Sequence, residues 1–244
     1  MKALFRQRMW QIVRVLFWDL PCTTCLGRSE ARRFWKTVFG QLAAYANVMD
    51  VPSVDLADLY SGIRDQKVSV GYPGVSLRLL EQVNIAQLVR YLRPQAVFEI
   101  GTGFGGTTLL MAENADKNTR IFTLDLSPDL ILGAAGETVG IVLRENKLES
   151  RSRITQLWGD SRDFDYDPWI EKIDLVFVDA CHEYAYVKTD TDNALKLLSS
   201  RGVIVWHDYP SAPGVCRAVK EFAQQRKVYM IEGTRIAVYD SRMV

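Results

Sequence analysis

The chain has 244 residues, which is enough for one α/β domain with an added segment or for two small domains. It is 48% hydrophobic and 24% charged, as expected of a globular protein with a core, and its formal net charge of +1 gives no electrostatic reason to expect a nucleic-acid partner. Four cysteines are too few for a disulfide framework in a chain of this length, so the cytoplasm is the expected location.

The N-terminal part is predicted to be helical. Residues 1–65 contain segments broken at prolines and glycines, and no β-rich run. Within them, Phe5–Leu20 is apolar and aromatic, but three arginines interrupt it, so it lacks the unbroken run of a signal peptide or a membrane span. Such a helix could lie on an anionic membrane surface, or pack on its own domain or on a second copy in a homo-oligomer, and packing is favoured. We assign residues 66–244 to the main domain.

A helix ending at Pro94 leads into alternating strands and helices. Its apolar residues recur at helical spacing from Leu77 to Leu92. Five short apolar runs follow and are predicted as strands: Ala96–Ile100, Ile121–Asp125, Arg153–Leu157, Asp174–Asp179 and Gly202–His207. This alternation predicts βαβ units and a parallel sheet covered on both faces. Val228–Ile231 and Arg235–Tyr239, separated by Glu-Gly-Thr, predict a closing antiparallel hairpin.

A glycine-rich turn follows the first of these strands. Gly101, Gly103 and Gly106 fit the pattern G-x-G-x-x-G between the strand and the helical run Thr107–Ala112. Glycines there allow a tight turn and let a ligand approach the backbone closely. Asp125 ends the next strand about 20 residues on, where a carboxylate can accept both hydroxyls of a ribose. The combination predicts a Rossmann-like site for an adenosine-containing cofactor.

Two features favour S-adenosylmethionine over a dinucleotide. Glu99 lies inside an otherwise apolar strand just before the glycines, where a carboxylate could help to recognise the free ammonium group of this cofactor. Asp160 and Ser161 follow the third strand and could supply an acceptor for the adenine amino group and a nearby hydroxyl, although helix capping also explains one of the two. Thr102 and Thr107 in the glycine turn complete this part of the predicted cofactor site.

These motifs resemble class I S-adenosylmethionine-dependent methyltransferases. More narrowly, they resemble the metal-dependent O-methyltransferases of the catechol and macrolide-sugar types. The resemblance covers roughly residues 66–244 and rests on Phe98–Ala112, Asp125, Gly159–Ser161, Asp179–His182 and Trp206–Tyr209. It implies an α/β fold with a Rossmann-like, doubly wound, seven-stranded and mostly parallel sheet, closed by a C-terminal antiparallel hairpin and preceded by a helical segment. The glycine-rich stretch Asp129–Arg144 departs from the compact catechol pattern.

Two strand-end acids predict a metal site. Asp179 and Asp208 would meet at the carboxyl edge of the sheet, and two carboxylates there would repel each other unless a cation lay between them. The resemblance implies a divalent cation held by Asp179, His207 and Asp208, with Asp179 also in the cofactor site. Mg²⁺ is favoured by oxygen ligands, and an imidazole would also admit Mn²⁺. The resemblance places the catalytic base at His182, whose imidazole can accept the proton of a metal-bound hydroxyl.

The helix expected after His182 carries further polar residues. Lys188, Asp190 and Asp192 are predicted to form a solvated face, and Tyr184 is as well explained by packing as by a place in an acceptor pocket. Cys22 and Cys25 have C-x-x-C spacing, but no second pair accompanies them, which disfavours a zinc or redox role.

The whole pattern predicts an S-adenosylmethionine-dependent O-methyltransferase acting on a hydroxyl of a small molecule, with a sugar unit slightly favoured over a catechol. One alternative is an NAD-dependent oxidoreductase, because Tyr184 and Lys188 have Tyr-x-x-x-Lys spacing, although no partner serine is evident. The other is a catalytically silent methyltransferase-like domain used for assembly or membrane recruitment.

Overall fold

The structure is a computed structural model that describes residues 51–130, 138–146 and 153–243. The predictions made for residues 1–50, which include the apolar helix and the C-x-x-C pair, lie outside these residues. The described residues belong to a compact unit, Val48–Val244. Among them, no helix has both the length and the apolar character needed to cross a membrane.

Eight strands of the described residues form one sheet: β1 (Ser53–Val54), β2 (Ala96–Ile100), β3 (Arg120–Asp125), β4 (Ile154–Trp158), β5 (Ile173–Val178), β6 (Leu198–Trp206), β7 (Val228–Ile231) and β8 (Ala237–Asp240). Their order is β1-β7-β8-β6-β5-β2-β3-β4. Pairing is parallel from β4 through β6, and β8 is antiparallel to both β6 and β7. The predicted α/β sheet and its C-terminal hairpin are therefore confirmed. The strand order reverses between β2 and β5, and ligands bind at such switch points.

The sheet has one strand more than predicted. Ser53–Val54, in the segment predicted to contain only helices, pairs in parallel with Met230 and Ile231 of β7. A strand of two residues is too short to show the alternation that identifies strands in a sequence. It forms through its pairing with the edge of β7. The compact unit consequently begins before the predicted boundary at residue 66.

Helices cover both faces of the sheet. The described α-helices are α1 (Leu56–Leu59), α2 (Leu79–Leu92), α3 (Gly106–Asn114), α4 (Ile141–Glu145), α5 (Tyr184–Leu197) and α6 (Pro213–Ala223). Side chains alternate along β2, so Val97 packs with α2 and α3 on one face while Phe98 packs with α5 and α6 on the other. Both β2 and β5 are buried along their whole length, which explains their unbroken apolar sequences.

Candidate functional site

The glycine turn forms where the sequence predicts it, between β2 and α3. Gly101 and Gly103 have φ of 104° and 51°, in the left-handed region that favours glycine. A Cβ on Gly101 would lie 2.3 Å from the carbonyl oxygen of Asp179, so only glycine lets the turn lie against the end of β5. A Cβ on Gly103 would meet no described atom within 4 Å. The turn thus has a tightly packed side and an open side that suits a bound cofactor.

Gly106 and the two threonines of the turn serve packing. A Cβ on Gly106 would lie 2.3 Å from the carbonyl carbon of Gly74, so this glycine admits the chain segment before α2. Thr102 is buried and its hydroxyl lies 2.7 Å from that of Thr123 in β3, and Thr107 is also buried. Contacts of these residues with a cofactor would therefore come from their backbone more than from their side chains.

Asp125 lies at the end of β3 beside the glycine turn. Its Oδ2 accepts the backbone N–H of Gly103 at 2.9 Å, and its Oδ1 accepts that of Leu126 at 2.7 Å. Burial raises the pKa of this carboxyl, although the backbone hydrogen bonds oppose the rise. Each carboxylate oxygen can accept more than one hydrogen bond, so the position suits the predicted ribose contact.

Glu99 lies beneath the turn and is completely buried. Its Oε2 accepts hydrogen bonds from the hydroxyls of Thr108 and Thr123, the second at 2.6 Å, whereas Oε1 is buried without a partner among the described residues. Burial raises the pKa of Glu99 to about 8. The sequence predicted that a carboxylate near the turn helps to recognise an ammonium group, and the buried Oε1 of Glu99 lacks a partner among the described residues, so a cationic group would be a favourable one.

Asp160 and Ser161 follow β4, as predicted. Asp160 accepts the backbone N–H of Arg162 at 2.9 Å and forms an ion pair with its guanidinium at 3.1 Å. The guanidinium lies 4.0 Å from the ring centroid of Tyr186, and Arg162 holds the pKa of Asp160 below its ordinary value. The carbonyl of Ser161 accepts the Tyr166 hydroxyl at 3.0 Å. These contacts account for the turn locally, and the role of the pair in adenine recognition stays a prediction.

The three residues of the predicted chemistry converge at the carboxyl ends of β5 and β6. Nε2 of His182 lies 3.1 Å from Oδ2 of Asp208 and 3.9 Å from Oδ1 of Asp179. The acids are mostly buried, and the imidazole is half exposed. The pKa of His182 is raised, because the neighbouring carboxylates of Asp179 and Asp208 favour the charged ring. One donor atom from each residue lies within 4.8 Å of the others, so the group could hold a cation.

His207 does not fit the predicted role of metal ligand. Its ring is buried, with Nδ1 3.1 Å from Oδ1 of Asp179 and Nε2 3.3 Å from Oε2 of Glu81. Burial disfavours the charged ring, but the hydrogen bonds to Asp179 and Glu81 outweigh it and raise the pKa of His207 to about 9. A metal ligand must offer a free nitrogen lone pair, and both ring nitrogens of His207 face carboxylate oxygens of the protein. The structure places His182, not His207, in the group that could bind a cation.

Two site residues were missed in the sequence, Glu81 in the first turn of α2 and Arg235 between β7 and β8. Arg235 donates to Oδ1 of Asp208 at 2.6 Å and to both carboxylate oxygens of Glu81 at 3.0 Å. Glu81 also accepts the backbone N–H of Arg78, a pairing of residues three apart that marks a helix start. That local spacing was the only available signal, because nothing in the sequence relates residues 154 positions apart.

The predicted solvated face of α5 is only partly correct. Lys188 and Asp192 are exposed and form an ion pair at 2.8 Å, but Asp190 is completely buried. Tyr184 donates its hydroxyl to Glu221 at 2.7 Å. With Lys188 and Tyr184 each engaged by a separate acid, the pair does not form the hydride-transfer site that the oxidoreductase alternative requires.

Comparisons with known proteins agree with this geometry. A family model described as a methyltransferase domain matches residues 98–209. The chain is similar to the O-methyltransferase from Bacillus cereus, solved with S-adenosylhomocysteine, at 19% identity and a TM-score of 0.54 over 69% of this chain and 84% of that one. It is also similar to TomG from Streptomyces achromogenes, an O-methyltransferase involved in tomaymycin synthesis that was solved with S-adenosylmethionine. The identity is 17% and the TM-score is 0.51, and the match covers 82% of this chain and 96% of TomG.

A third similar structure is the methyltransferase PaMTH1 from Podospora anserina bound to S-adenosylhomocysteine, at 18% identity and a TM-score of 0.51 over 87% of this chain and 95% of that one. A search of curated protein sequences finds no match. The doubly wound sheet and the glycine turn define a class I methyltransferase fold, and the match over residues 98–209 agrees with it. The methyltransferase-domain model matches residues 98–209, and the similar solved structures share the fold of this chain.

Proposed function

We propose that the protein transfers the methyl group of S-adenosylmethionine to a hydroxyl of a small molecule, either a sugar unit or a catechol-like acceptor. The observation that carries the proposal is the half-exposed imidazole of His182, held 3.1 Å from Asp208 next to the glycine turn. A hydroxyl must lose its proton as it attacks a methyl carbon, and an imidazole is suited to accept that proton near neutral pH.

The proton acceptor follows from the contacts of His182. When Nε2–H donates to Oδ2 of Asp208, Nδ1 keeps its lone pair, and we assign the proton of the acceptor hydroxyl to this atom. Asp208 then fixes the tautomer and stabilises the charged ring. Asp179 neighbours both His182 and the glycine turn, which supports a role for it between acceptor and cofactor. The cofactor supplies an activated methyl group, so the protein contributes mainly alignment and proton removal.

The donor set also suits a divalent cation. Asp179 and Asp208 would hold it through carboxylate oxygens, which favours Mg²⁺, and it would lower the pKa of the acceptor hydroxyl. Arg235 pairs with Oδ1 of Asp208, so a cation would bind this acid through Oδ2 and would replace the contact of Oδ2 with Nε2 of His182. The N-terminal segment remains a proposed contact for packing, self-association or an anionic membrane surface.

A methyl-transfer screen against hydroxylated sugars and catechols tests the function. The screen is run with Mg²⁺, with Mn²⁺ and with chelator, and product is detected by mass. We expect methylation of at least one acceptor, with loss of turnover in chelator and recovery on adding Mg²⁺. Turnover that chelator leaves intact would remove the cation from the mechanism, whereas transfer to nitrogen or carbon atoms alone would contradict O-methylation.

A further inference from the structure

Arg235 and Glu81 form a largely buried ion pair next to the two strand-end acids. The guanidinium contacts Glu81 through Nε and Nη2, each at 3.0 Å, and Asp208 through Nη1 at 2.6 Å. The backbone N–H of Arg235 donates to the same Glu81 oxygen at 2.9 Å. Glu81 is fully buried and the guanidinium is about four-fifths covered. A planar guanidinium in this fork holds two carboxylates at a set spacing and angle.

Glu81 reaches the other acid as well. Its Oε2 lies 3.3 Å from Nε2 of His207, whose Nδ1 lies 3.1 Å from Asp179. One buried glutamate therefore holds two cationic side chains, and each of these holds one of the acids that face His182. Glu81 lies on α2 and Arg235 lies in the β7–β8 turn, so both are brought to the site by elements outside β5 and β6.

We infer that Arg235 is a positioning residue: by binding Oδ1 of Asp208 against Glu81, it turns Oδ2 towards His182 and so orients the imidazole for proton removal. The inference rests on the proposed function of His182. Arg235 itself lies behind Asp208 and acts through it. The left-handed backbone of Asp208, with φ of 56°, is uncommon for a residue other than glycine, so the surrounding contacts must hold it.

The substitution R235K tests this role, because lysine keeps the charge but cannot bridge Glu81 and Asp208 with a planar fork. Substitution of a residue that orients a functional side chain typically lowers activity by about 10- to 100-fold. We expect R235K to lower kcat by about that factor while the affinity for S-adenosylhomocysteine stays within about twofold. R242K is the matched control, since Arg242 makes a similar fork with the buried Asp240 in the same C-terminal region.

The two histidines of the chain give a readout that needs no acceptor. In protein labelled with 15N-histidine, R235K should shift the imidazole signals of His182, and R242K should leave them in place. Unchanged His182 signals and unchanged kcat in R235K would overturn the inference. Equal losses of kcat and of S-adenosylhomocysteine affinity would also overturn it, because they indicate general damage to the fold.

Chemical rescue provides a second measurement. Guanidinium ion added to R235A should restore part of the turnover, since it can occupy the vacated space between Glu81 and Asp208. Absence of rescue in an R235A protein that still unfolds cooperatively would contradict positioning by the guanidinium. If the wild-type protein methylates no acceptor, the proposed function fails by itself, while the histidine spectra still decide whether Arg235 orients His182.

Discussion

The side chains that we propose for the chemistry lie at the ends of β5 and β6. Asp179 is buried, which alone would raise its pKa, but the neighbouring His182 and His207 rings hold that pKa below its ordinary value. Glu81 is held charged in the same way by His207 and Arg235 despite its burial. The site is thus a compact group of paired charges in which His182 is the most exposed member.

The substitution H182A should reduce methyl transfer by about 10²- to 10⁴-fold, the contribution of a positioned base. The affinity for S-adenosylhomocysteine, measured by calorimetry, should change little, because the imidazole faces the acids and solvent. E183A is the control, since Glu183 is exposed and its side chain makes no capping hydrogen bond at the start of α5. Near-native turnover in H182A would remove His182 from the mechanism.

The site residues that could be predicted are those that belong to one segment or to neighbouring strands of the sheet. Asp179 and His182 belong to one segment, and Asp208 follows the next strand, so a parallel sheet brings them to one edge. His207 lies beside Asp208 in sequence, and its buried ring has Nδ1 3.1 Å from Asp179 and Nε2 3.3 Å from Glu81, a partner that the sequence does not indicate. Glu81 and Arg235 come from distant elements, and local pattern carries no information about them.

At the scale of elements, residues 51–65 belong to the same compact unit as the sheet. They form β1 and α1, and they bury Leu56, Tyr60 and Ile63, each at most 2% exposed, in the core. The Tyr60 hydroxyl also donates to Asp240 in β8 at 3.0 Å. The segment therefore completes the sheet domain at the edge formed by β7.

A version of the chain that begins at residue 66 should consequently be much less stable than one that begins at residue 48. Three large side chains leave the core, and each contributes about 1.5–3 kcal/mol, so the loss approaches the 5–15 kcal/mol typical of a whole domain. Thermal unfolding followed by circular dichroism measures this. Equal melting temperatures for the two versions would contradict the assignment of residues 51–65 to the domain.

For the molecule as a whole, Asp190 is a source of instability that varies with pH. Its carboxylate is fully buried in α5 and has no hydrogen-bond partner of good geometry among the described residues. Burial raises the pKa of Asp190 to about 6, although the Ser161 side chain offsets part of the rise. The unfolded chain has an ordinary Asp pKa of about 3.9. Between these values the native state binds more protons than the unfolded state, so stability falls as pH rises from about 4 to 6.

The substitution D190N should therefore stabilise the protein above pH 6, by up to about 3 kcal/mol for a pKa rise of roughly two units. The gain should disappear near pH 4, where Asp190 is already neutral in the folded protein. Denaturant unfolding at pH 4 and pH 7.5 measures both values. D192N serves as the control, since Asp192 is exposed on the same helix and pairs with the exposed Lys188. A stabilisation by D190N that is the same at both pH values would show that burial of the charge is not its cause.

The sequence by itself determined the class of fold and the identity of the main catalytic candidates. Strand alternation, the glycine turn and strand-end acids are local patterns that can be recognised in the sequence. Residues that follow successive parallel strands then lie together at the carboxyl edge of the sheet. Three features became evident only from the tertiary structure. Glu99 is buried under the turn, His207 contacts Glu81, and Arg235 donates a hydrogen bond to Asp208. The physical reason is burial: the charge and orientation of these groups depend on neighbours that only the folded chain brings within hydrogen-bond distance.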